Sequence, residues 1–242
     1  MTRMAIKPVL IFAAVALSSA AAPAQTAAPK AAGHWEGQIH MGAQEVPMAI
    51  DLSKNAAGAW IGTFSVPGSA QTDLPLANIT ADDAGIHFTL SVQEVATFDG
   101  KLSADAKNIS GTASNSQGSV GFDLTRGGEA KVNLPPPSSA LPKEFEGRWE
   151  GAIDIGGTKL RLAIKLSTGP DGKAAASLIS IDQGGQEFPA TTVTVADKKL
   201  TVEVRPVGGS YSGLLGANGE IVGAWAQGGN QVALVLKKAE KP

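Results

Sequence analysis

The sequence contains one short segment twice, and this internal repeat constrains the fold more than any other feature of the chain. The pentapeptide at 147–151, Gly-Arg-Trp-Glu-Gly, occurs earlier at 33–37 as Gly-His-Trp-Glu-Gly. When Trp35 is aligned with Trp149, apolar positions and glycines continue to match for dozens of residues, while the offset falls from 114 to 113 and then to 112. Small slips of this kind belong in turns, so we predict a duplicated domain.

The repeat, together with the composition around it, divides the chain into five segments. The predicted segments are a signal peptide at 1–24, a disordered lead-in rich in Ala, Pro and Thr at 25–32, a first repeat at 33–127, a Pro-rich linker at 128–145 and a second repeat at 146–239. The linker contains three consecutive prolines, Pro135 to Pro137, which favour a stiff, extended conformation. We therefore expect the two repeats to be spaced apart rather than fused.

The N-terminal residues are typical of a secretory signal peptide. The basic residues Arg3 and Lys7 flank the start of a short apolar run at 8–16, and small residues follow up to Ala24. A retained membrane anchor is the alternative, but the apolar run is shorter than the roughly 20 residues that a membrane-spanning helix needs. We expect cleavage after Ala24, a periplasmic or secreted protein, and no membrane span after cleavage.

Charge and cysteine content narrow the function further. The chain has 20 Lys and Arg residues against 22 Asp and Glu residues, and neither sign forms a run, so a nucleic-acid partner is not expected. It has no cysteine, and disulfides and cysteine-linked lipids are therefore excluded. The exported protein is expected to be stabilised by its hydrophobic core alone.

Apolar residues alternate with polar ones along both repeats, and no segment has the period of a helix. In the second repeat, Leu160, Leu162, Ile164 and Leu166 form one such run. A period of two is the pattern of half-buried strands. About eight short strands per repeat, joined by short turns, predict an all-β protein of two tandem, small, up-and-down antiparallel β-barrels. A β-sandwich is the alternative, because periodicity does not distinguish the two.

Each repeat opens with Gly-x-Trp, and this start resembles the first strand of lipocalin-type barrels. In those barrels a basic residue from the last strand covers the tryptophan. Trp35 and Trp149 open the two repeats, and Arg126 and Lys238 stand at matching places after the last predicted strands. The resemblance implies a lipocalin- or avidin-like barrel in which these four residues have structural roles.

Other motifs of the second repeat resemble the β domain that precedes the catalytic domain in some exported bacterial α/β-hydrolases. These motifs are Trp-Glu-Gly at 149–151, Ser-Ile-Asp-Gln-Gly at 180–184 and Gly-Ala-Trp-Ala-Gln-Gly-Gly at 223–229. The first repeat matches only in part, with Ser-Val-Pro-Gly at 65–68 and Gly-Thr-Ala-Ser-Asn at 111–115. The resemblance implies an accessory module without the hydrolase domain, and it brings no catalytic residue into this chain.

In an up-and-down barrel the loops after alternate strands lie at the same end, and this sorts the loops rich in glycine and glutamine to one rim. In the second repeat they are 156–157, 182–187, 206–210 and 227–230, and in the first 41–44, 67–73, 93–94 and 115–117. Side-chain amides on such loops offer donors and acceptors to a small molecule, sugar or peptide. The candidate ligand-binding residues are Asp182, Gln183, Gln186, Tyr211, Trp225 and Gln227.

A structural role is the competing interpretation for these residues. Tight hairpins need glycine in any case, and Gln or Asp side chains beside them can serve only to satisfy backbone groups. Tyr211 and Trp225 lie on the predicted inner face, where they would line an apolar pocket or belong to the core. The core is the stronger expectation for both, because a barrel of this size is usually filled by its own side chains.

The sequence carries no recognisable catalytic or metal-binding motif. At 209–213 a tyrosine stands where a nucleophile-elbow serine would be. The three histidines, His34, His40 and His87, all lie in the first repeat, so a catalytic triad or histidine metal site would lack a counterpart in the second. Asp182 and Glu187 are the candidate carboxylate pair for acid–base chemistry. No cofactor and no metal are expected.

These observations favour an exported, non-catalytic binding or interaction protein that uses the Gly/Gln-rich loops at one rim of each repeat. The alternative is an accessory module of an exported hydrolase system, which would have an exported protein as its partner. A small hydrolase based on the Asp182 and Glu187 carboxylates is the third hypothesis.

Overall fold

The computed structural model describes residues 29–239, and almost all of their regular structure is β-strand. The predicted signal peptide lies outside the described residues. The first repeat contains β1 (Gly33–Met41), β2 (Gln44–Lys54), β3 (Trp60–Ser65), β4 (Leu74–Pro75), β5 (Ala77–Ala81), β6 (Gly85–Ser91), β7 (Val95–Leu102), β8 (Asn108–Asn115) and β9 (Gly118–Gly128). The second contains β10 (Gly147–Ile155), β11 (Thr158–Thr168), β12 (Ala174–Ser180), β13 (Gln186–Pro189), β14 (Thr192–Ala196), β15 (Lys199–Val204), β16 (Gly209–Leu215), β17 (Glu220–Gln227) and β18 (Asn230–Lys238), with a 3-10 turn at Arg205–Val207.

Each repeat is one antiparallel sheet in which the first strand pairs with the last. In the first sheet the order is β4-β3-β2-β1-β9-β8-β7-β6-β5. The break falls between β4 and β5, which are joined by Leu76, and the N–H of Leu76 donates to the carbonyl of Gly62 in β3 at 3.0 Å. β4 and β5 therefore act as one interrupted strand, and the eight-stranded up-and-down barrel is confirmed in preference to the sandwich. We call residues 33–128 barrel 1.

The second sheet repeats this order, and we call residues 147–238 barrel 2. Its break lies between β13 and β14, where the N–H of Ala190 donates to the carbonyl of Ala176 in β12 at 2.8 Å. The seam between β10 and β18 is shorter than its counterpart, because only Trp149 and Glu150 of β10 pair with β18. In barrel 1, β1 pairs with β9 from His34 to His40. The seam of barrel 2 therefore has fewer paired residues than that of barrel 1.

The inward-facing residues of each barrel form a packed core, as alternation along the strands requires. In barrel 1, Phe98 stacks on Phe88 with 4.7 Å between ring centroids, and it contacts Phe122 at 5.7 Å and Phe64 at 6.1 Å. Aromatic rings at such separations add to the stability that burial provides.

The described part of the chain contains no helix long and apolar enough to cross a membrane.

A tryptophan and a basic residue cover one end of each barrel, which we call the base. The Trp35 Nε1–H donates to the carbonyl of Ala31 at 3.0 Å, and the guanidinium carbon of Arg126 lies 4.2 Å from the centre of the Trp35 ring. Barrel 2 repeats the arrangement, since the Trp149 Nε1–H donates to the Phe145 carbonyl at 2.7 Å. Lys238 lies over the Trp149 ring at 5.3 Å. This is the geometry that the lipocalin-type start implies.

The prediction that the lead-in is disordered was wrong for its last residues, 30–32. Ala31 is buried under Trp35, and the Arg126 Nη1–H donates to the carbonyl of Ala32 at 2.7 Å. Arg126 Nη2 donates to the carbonyl of Lys30 as well. Composition predicts disorder only when a segment has nothing to bind, and here the base of the barrel supplies hydrogen-bond donors to these three residues.

We expect Arg126→Ala to lower the free energy of unfolding by about 2–3 kcal/mol, because the substitution leaves carbonyls at the barrel base without a charged donor and uncovers Trp35. Arg148→Ala is the matched control. Arg148 makes a surface ion pair with Glu150 at 2.6 Å, which is worth about 0–1 kcal/mol. Urea denaturation of both variants measures the difference, and equal losses would contradict the role given to Arg126.

The linker is bound to barrel 2 along part of its length. The Ser139 N–H donates to the Val193 carbonyl at 3.0 Å, and the Ser139 carbonyl accepts the N–H of Ala174 at 2.7 Å. The Val193 N–H in turn donates to Ser138 Oγ at 3.0 Å. Ser138 and Ser139 therefore bridge β12 and β14 across the break in the sheet, and the chain before them is held at Pro136, whose carbonyl accepts the Thr192 hydroxyl.

The two barrels touch, so the expectation that they are spaced apart was wrong. Arg205 of barrel 2 donates to the carbonyl of Asp73 at 2.6 Å and to that of Asn133 in the linker at 3.0 Å. Gln71 of barrel 1 donates through Nε2 to the Pro206 carbonyl at 2.9 Å. Prolines make a segment stiff, but they do not decide whether the side chains at its two ends find partners.

Candidate functional site

The strand order places the glycine- and glutamine-rich loops of each barrel at one end, which we call the loop rim. In barrel 1 the loop rim is formed by the connections β1–β2, β3–β4, β6–β7 and β8–β9. In barrel 2 it is formed by β10–β11, β12–β13, β15–β16 and β17–β18. The candidate residues of the second repeat all belong to this end of barrel 2, and their contacts decide which of them are free to bind.

Asp182 is occupied by an ion pair within barrel 2. Its Oδ1 accepts hydrogen bonds from Arg161 Nε at 2.9 Å and Nη2 at 2.5 Å, and its Oδ2 accepts the backbone N–H of Arg161 at 2.8 Å. The side-chain hydrogen bonds from Arg161, followed by the backbone one, lower the pKa of Asp182. The side chain fixes the β12–β13 loop to β11.

This ion pair also weakens the carboxylate-pair hypothesis. A general acid needs a raised pKa, whereas that of Asp182 is lowered. Glu187 lies in β13 and accepts a hydrogen bond from the Ser177 hydroxyl of β12. Each carboxylate therefore has its own partner, and the geometry does not support the small hydrolase based on this pair.

The two glutamines near this loop are both exposed, and Gln183 is held by hydrogen bonds to Ser180. Gln183 accepts the Ser180 hydroxyl through Oε1 at 2.7 Å, and its backbone N–H donates to the Ser180 carbonyl at 3.3 Å. Gln186 is exposed at the start of β13 and is paired with Ser180 in the sheet. The Ser-Ile-Asp-Gln-Gly motif at 180–184 thus makes a self-contained turn, and the accessory-module role suggested by its resemblance stays a prediction.

Tyr211 and Trp225 belong to the core of barrel 2 and are closed to a ligand. Tyr211 has no exposed surface, and its hydroxyl donates to the carbonyls of Ile221 at 3.0 Å and Leu234 at 3.2 Å. Burial raises the pKa of the Tyr211 phenol far above its usual range. Trp225 is 4% exposed, and a Cβ on Gly209 would lie only 2.2 Å from its indole ring. The aromatic pair fills the barrel up to the loop rim.

Gln227 closes this rim over the tryptophan. Its Oε1 accepts the Trp225 Nε1–H at 3.2 Å, and its Nε2 donates to the Val207 carbonyl at 2.7 Å. One side chain thus connects β17 to the 3-10 turn after β15. Of the rim residues that the sequence predicted as ligand contacts, Asp182, Gln183 and Gln227 thus make hydrogen bonds within barrel 2.

The loop rim of barrel 1 has the opposite character, because it opens into an apolar cavity of about 400 Å³. Its apolar lining consists of Ile39, Met41, Ala96, Phe98, Ala113 and Val120. The polar residues of its lining lie around the β8–β9 connection, namely Ser114, Asn115, Gln117 and Ser119. We call this space the mouth cavity. Its volume lies within the range of small-molecule sites, and its lining has the usual composition of apolar walls with a few polar groups.

The mouth cavity exists because one small residue in barrel 1 replaces a tryptophan that fills barrel 2. Ala113 pairs with Phe98, as Trp225 pairs with Tyr211, so Ala113 occupies the position of the tryptophan. Ala96 precedes Phe98 by two residues and corresponds to Gly209. The indole of Trp225 therefore has no counterpart in barrel 1, and the buried ring of Phe98 becomes the floor of the cavity.

The residue of barrel 1 that corresponds to Gln227 does not reach across the rim. Asn115 stands where barrel 2 has Gln227, and each is the last residue of its strand. Asn115 Oδ1 accepts the N–H of Gln117 in its own loop at 2.9 Å, whereas Gln227 reaches across to the neighbouring connection. The rim of barrel 1 is therefore left open by a smaller side chain and a local hydrogen bond.

The candidate residues predicted from the sequence lie in the second repeat, whereas the mouth cavity lies in the first, and the sequence carries a signal for this difference. The offset of 112 that aligns the last strands also aligns Ala113 with Trp225. A tryptophan opposite an alanine at an inward position of a duplicated barrel indicates a difference in filled volume. The residues Ile39, Met41, Ala96, Phe98, Ala113 and Val120 could have been found from that comparison.

The three histidines, His34, His40 and His87, lie outside the barrel 1 core and are bonded to carboxylates. His40 is the clearest case, with Nδ1 at 2.7 Å from Glu45 and Nε2 at 2.9 Å from Asp123. These hydrogen bonds, that of Asp123 first, raise the pKa of His40. Within residues 29–239 no group of three or more His, Cys, Asp or Glu side chains is placed to hold a metal ion.

Fold and site together define a tandem pair of small up-and-down barrels, one closed and one open at the loop rim. No protein-family model matches the sequence, and no curated protein matches it. Among solved structures, the chain is similar to a protein of unknown function from the DUF3598 family of Nostoc punctiforme, with 12% identity, a TM-score of 0.26, and coverage of 86% of this chain and 94% of that chain. It is also similar to a protein proposed to belong to the outer membrane of Bacteroides fragilis, with 13% identity, a TM-score of 0.27, and coverage of 87% and 100%. Likeness at this level carries no argument about function.

Proposed function

We propose that this chain is an exported, non-catalytic binding protein, and that the mouth cavity of barrel 1 takes up a small apolar ligand. The observation that carries the proposal is the contrast between two copies of one barrel. Trp225 fills the space that Ala113 leaves open. Export is supported by the signal-peptide pattern of the first 24 residues.

The lining of the mouth cavity favours an apolar ligand over a sugar or an extended peptide. Its walls are aliphatic or aromatic, and the polar groups lie around the β8–β9 connection. An apolar cavity gains binding free energy mainly from the surface that the ligand removes from water, about 0.8 kcal/mol for each buried methylene. Burying about six methylenes would give on the order of 5 kcal/mol, which corresponds to a Kd on the order of 0.1–1 mM.

The test is a titration of the purified protein with 1-octanol, followed by thermal denaturation and by NMR. The melting temperature should rise with octanol concentration by mass action. Chemical-shift changes should centre on the methyl groups of Ile39, Ala96 and Ala113. Glucose, at the same concentrations, is the control for a polar ligand and should cause neither effect. No shift with octanol, or shifts centred outside barrel 1, would contradict the proposal.

A further inference from the structure

The mouth cavity has a neighbour at the rim of barrel 1. A second cavity of about 480 Å³ adjoins it and shares Ala96, Asn115 and Gln117 with it. Two carboxylates line this second cavity, Glu94 from the β6–β7 loop of barrel 1 and Glu187 from β13 of barrel 2. The two cavities are therefore neighbours at the rim of barrel 1, and the second one takes one of its carboxylates from each barrel.

The second cavity carries negative charge. Glu94 and Glu187 are both exposed, and no lysine, arginine or histidine lines either cavity. Glu94 Oε2 accepts the Ser116 hydroxyl at 2.6 Å, which holds the carboxylate beside the opening. Lys165 lines a third depression, which shares Gln93 and Glu187 with the second cavity, but it does not line the second cavity itself.

We propose that the ligand is a small cationic amphiphile, with an apolar body in the mouth cavity and an amine beside Glu94 and Glu187. The inference rests on the proposed function and adds the charge of the ligand to it. Charge complementarity selects the occupant, because a carboxylate ligand would be repelled by both glutamates and an uncharged one would gain nothing from them. It also gives barrel 2 a role, since Glu187 comes from the barrel whose own mouth is closed.

The test compares three eight-carbon probes that differ only in the end group: octylamine, 1-octanol and octanoate. At pH 7 and low salt the amine is protonated and the acid is ionised, as their ordinary pKa values require. We expect octylamine to bind about fivefold more tightly than octanol and octanoate to bind more weakly than either. The preference should shrink at high salt, since exposed charges are screened.

Two double variants assign the preference to its residues. Glu94→Gln with Glu187→Gln should weaken octylamine binding by about threefold and leave octanol binding within twofold, because glutamine keeps the shape and the hydrogen bond from Ser116. Glu129→Gln with Glu144→Gln changes the net charge equally, at exposed positions that line neither cavity, and should leave all three probes unaffected.

The outcomes separate the two proposals. If octanol binds but octylamine and octanoate bind equally well, the cationic ligand is wrong and the apolar site stands. If octylamine is preferred and the Glu94→Gln, Glu187→Gln variant retains that preference, the assignment to these carboxylates is wrong. If none of the three probes binds, the proposed function fails together with this inference.

Discussion

Replacing Ala113 by tryptophan is expected to close barrel 1 and to weaken binding of an apolar probe by at least about tenfold. The expected reason is steric, because the indole would occupy the mouth cavity as Trp225 occupies the equivalent space in barrel 2. In barrel 2 the indole lies against Gly209, whereas barrel 1 has Ala96 at that position. The variant should therefore be made as Ala96→Gly with Ala113→Trp, since overpacking a core costs about 1–3 kcal/mol.

Isothermal titration with 1-octanol measures this effect, and circular dichroism verifies that the variant is folded. Ala96→Gly alone is the control, because it slightly enlarges the cavity and should keep octanol affinity within about twofold. A folded double variant that binds octanol as the unmodified protein does would rule out the mouth cavity as the ligand site.

Replacing Trp225 by alanine is expected to have the largest effect on stability. The indole is 4% exposed and donates its Nε1–H to Gln227. Removal of a buried tryptophan side chain costs about 3–5 kcal/mol, from lost burial and from the cavity that remains. Gln227, which also bonds the Val207 carbonyl, loses its hydrogen bond to the indole. Urea denaturation should therefore show barrel 2 unfolding at a much lower denaturant concentration.

The same variant should also gain a second apolar site. With Trp225 shortened to the size of Ala113, barrel 2 should bind octanol in addition to barrel 1, and octanol should restore part of the lost stability by mass action. Trp225→Phe keeps most of the ring volume and should lose less stability, without a second site. A loss below about 1 kcal/mol in Trp225→Ala would contradict the packing of the indole described above.

The sequence predicted the fold in most respects because the signals for it are local. Alternation along each strand follows from the geometry of the extended chain, in which neighbouring side chains point to opposite faces. The match between Trp35 and Trp149 indicated the duplication. The up-and-down strand order predicted that alternate loops lie at the same rim. Predictions about segments at the margins of the barrels were wrong, because Ala32 is bonded to Arg126 and Ser139 to Val193, which are far away in the chain.

The candidate site was predictable only at the level of the rim. Asp182, Gln183 and Gln227 are polar residues on glycine-rich loops, and sequence alone does not tell whether such a side chain faces a ligand or the protein. Their partners here are Arg161 of β11, Ser180 in the same turn as Gln183, and the Val207 carbonyl of the 3-10 turn. Hydrogen bonds of this kind depend on how the loops meet, so they follow from tertiary structure.

By itself, the sequence determined an all-β protein made of two related eight-stranded units, because strand periodicity and duplication follow directly from the order of the residues. Only the tertiary structure decided which unit is open. A cavity is the difference between the volume that the strands enclose and the volume that the side chains fill. That difference depends on residues from several strands at once, and in this chain the exchange of Trp225 for Ala113 leaves barrel 1 open where barrel 2 is closed.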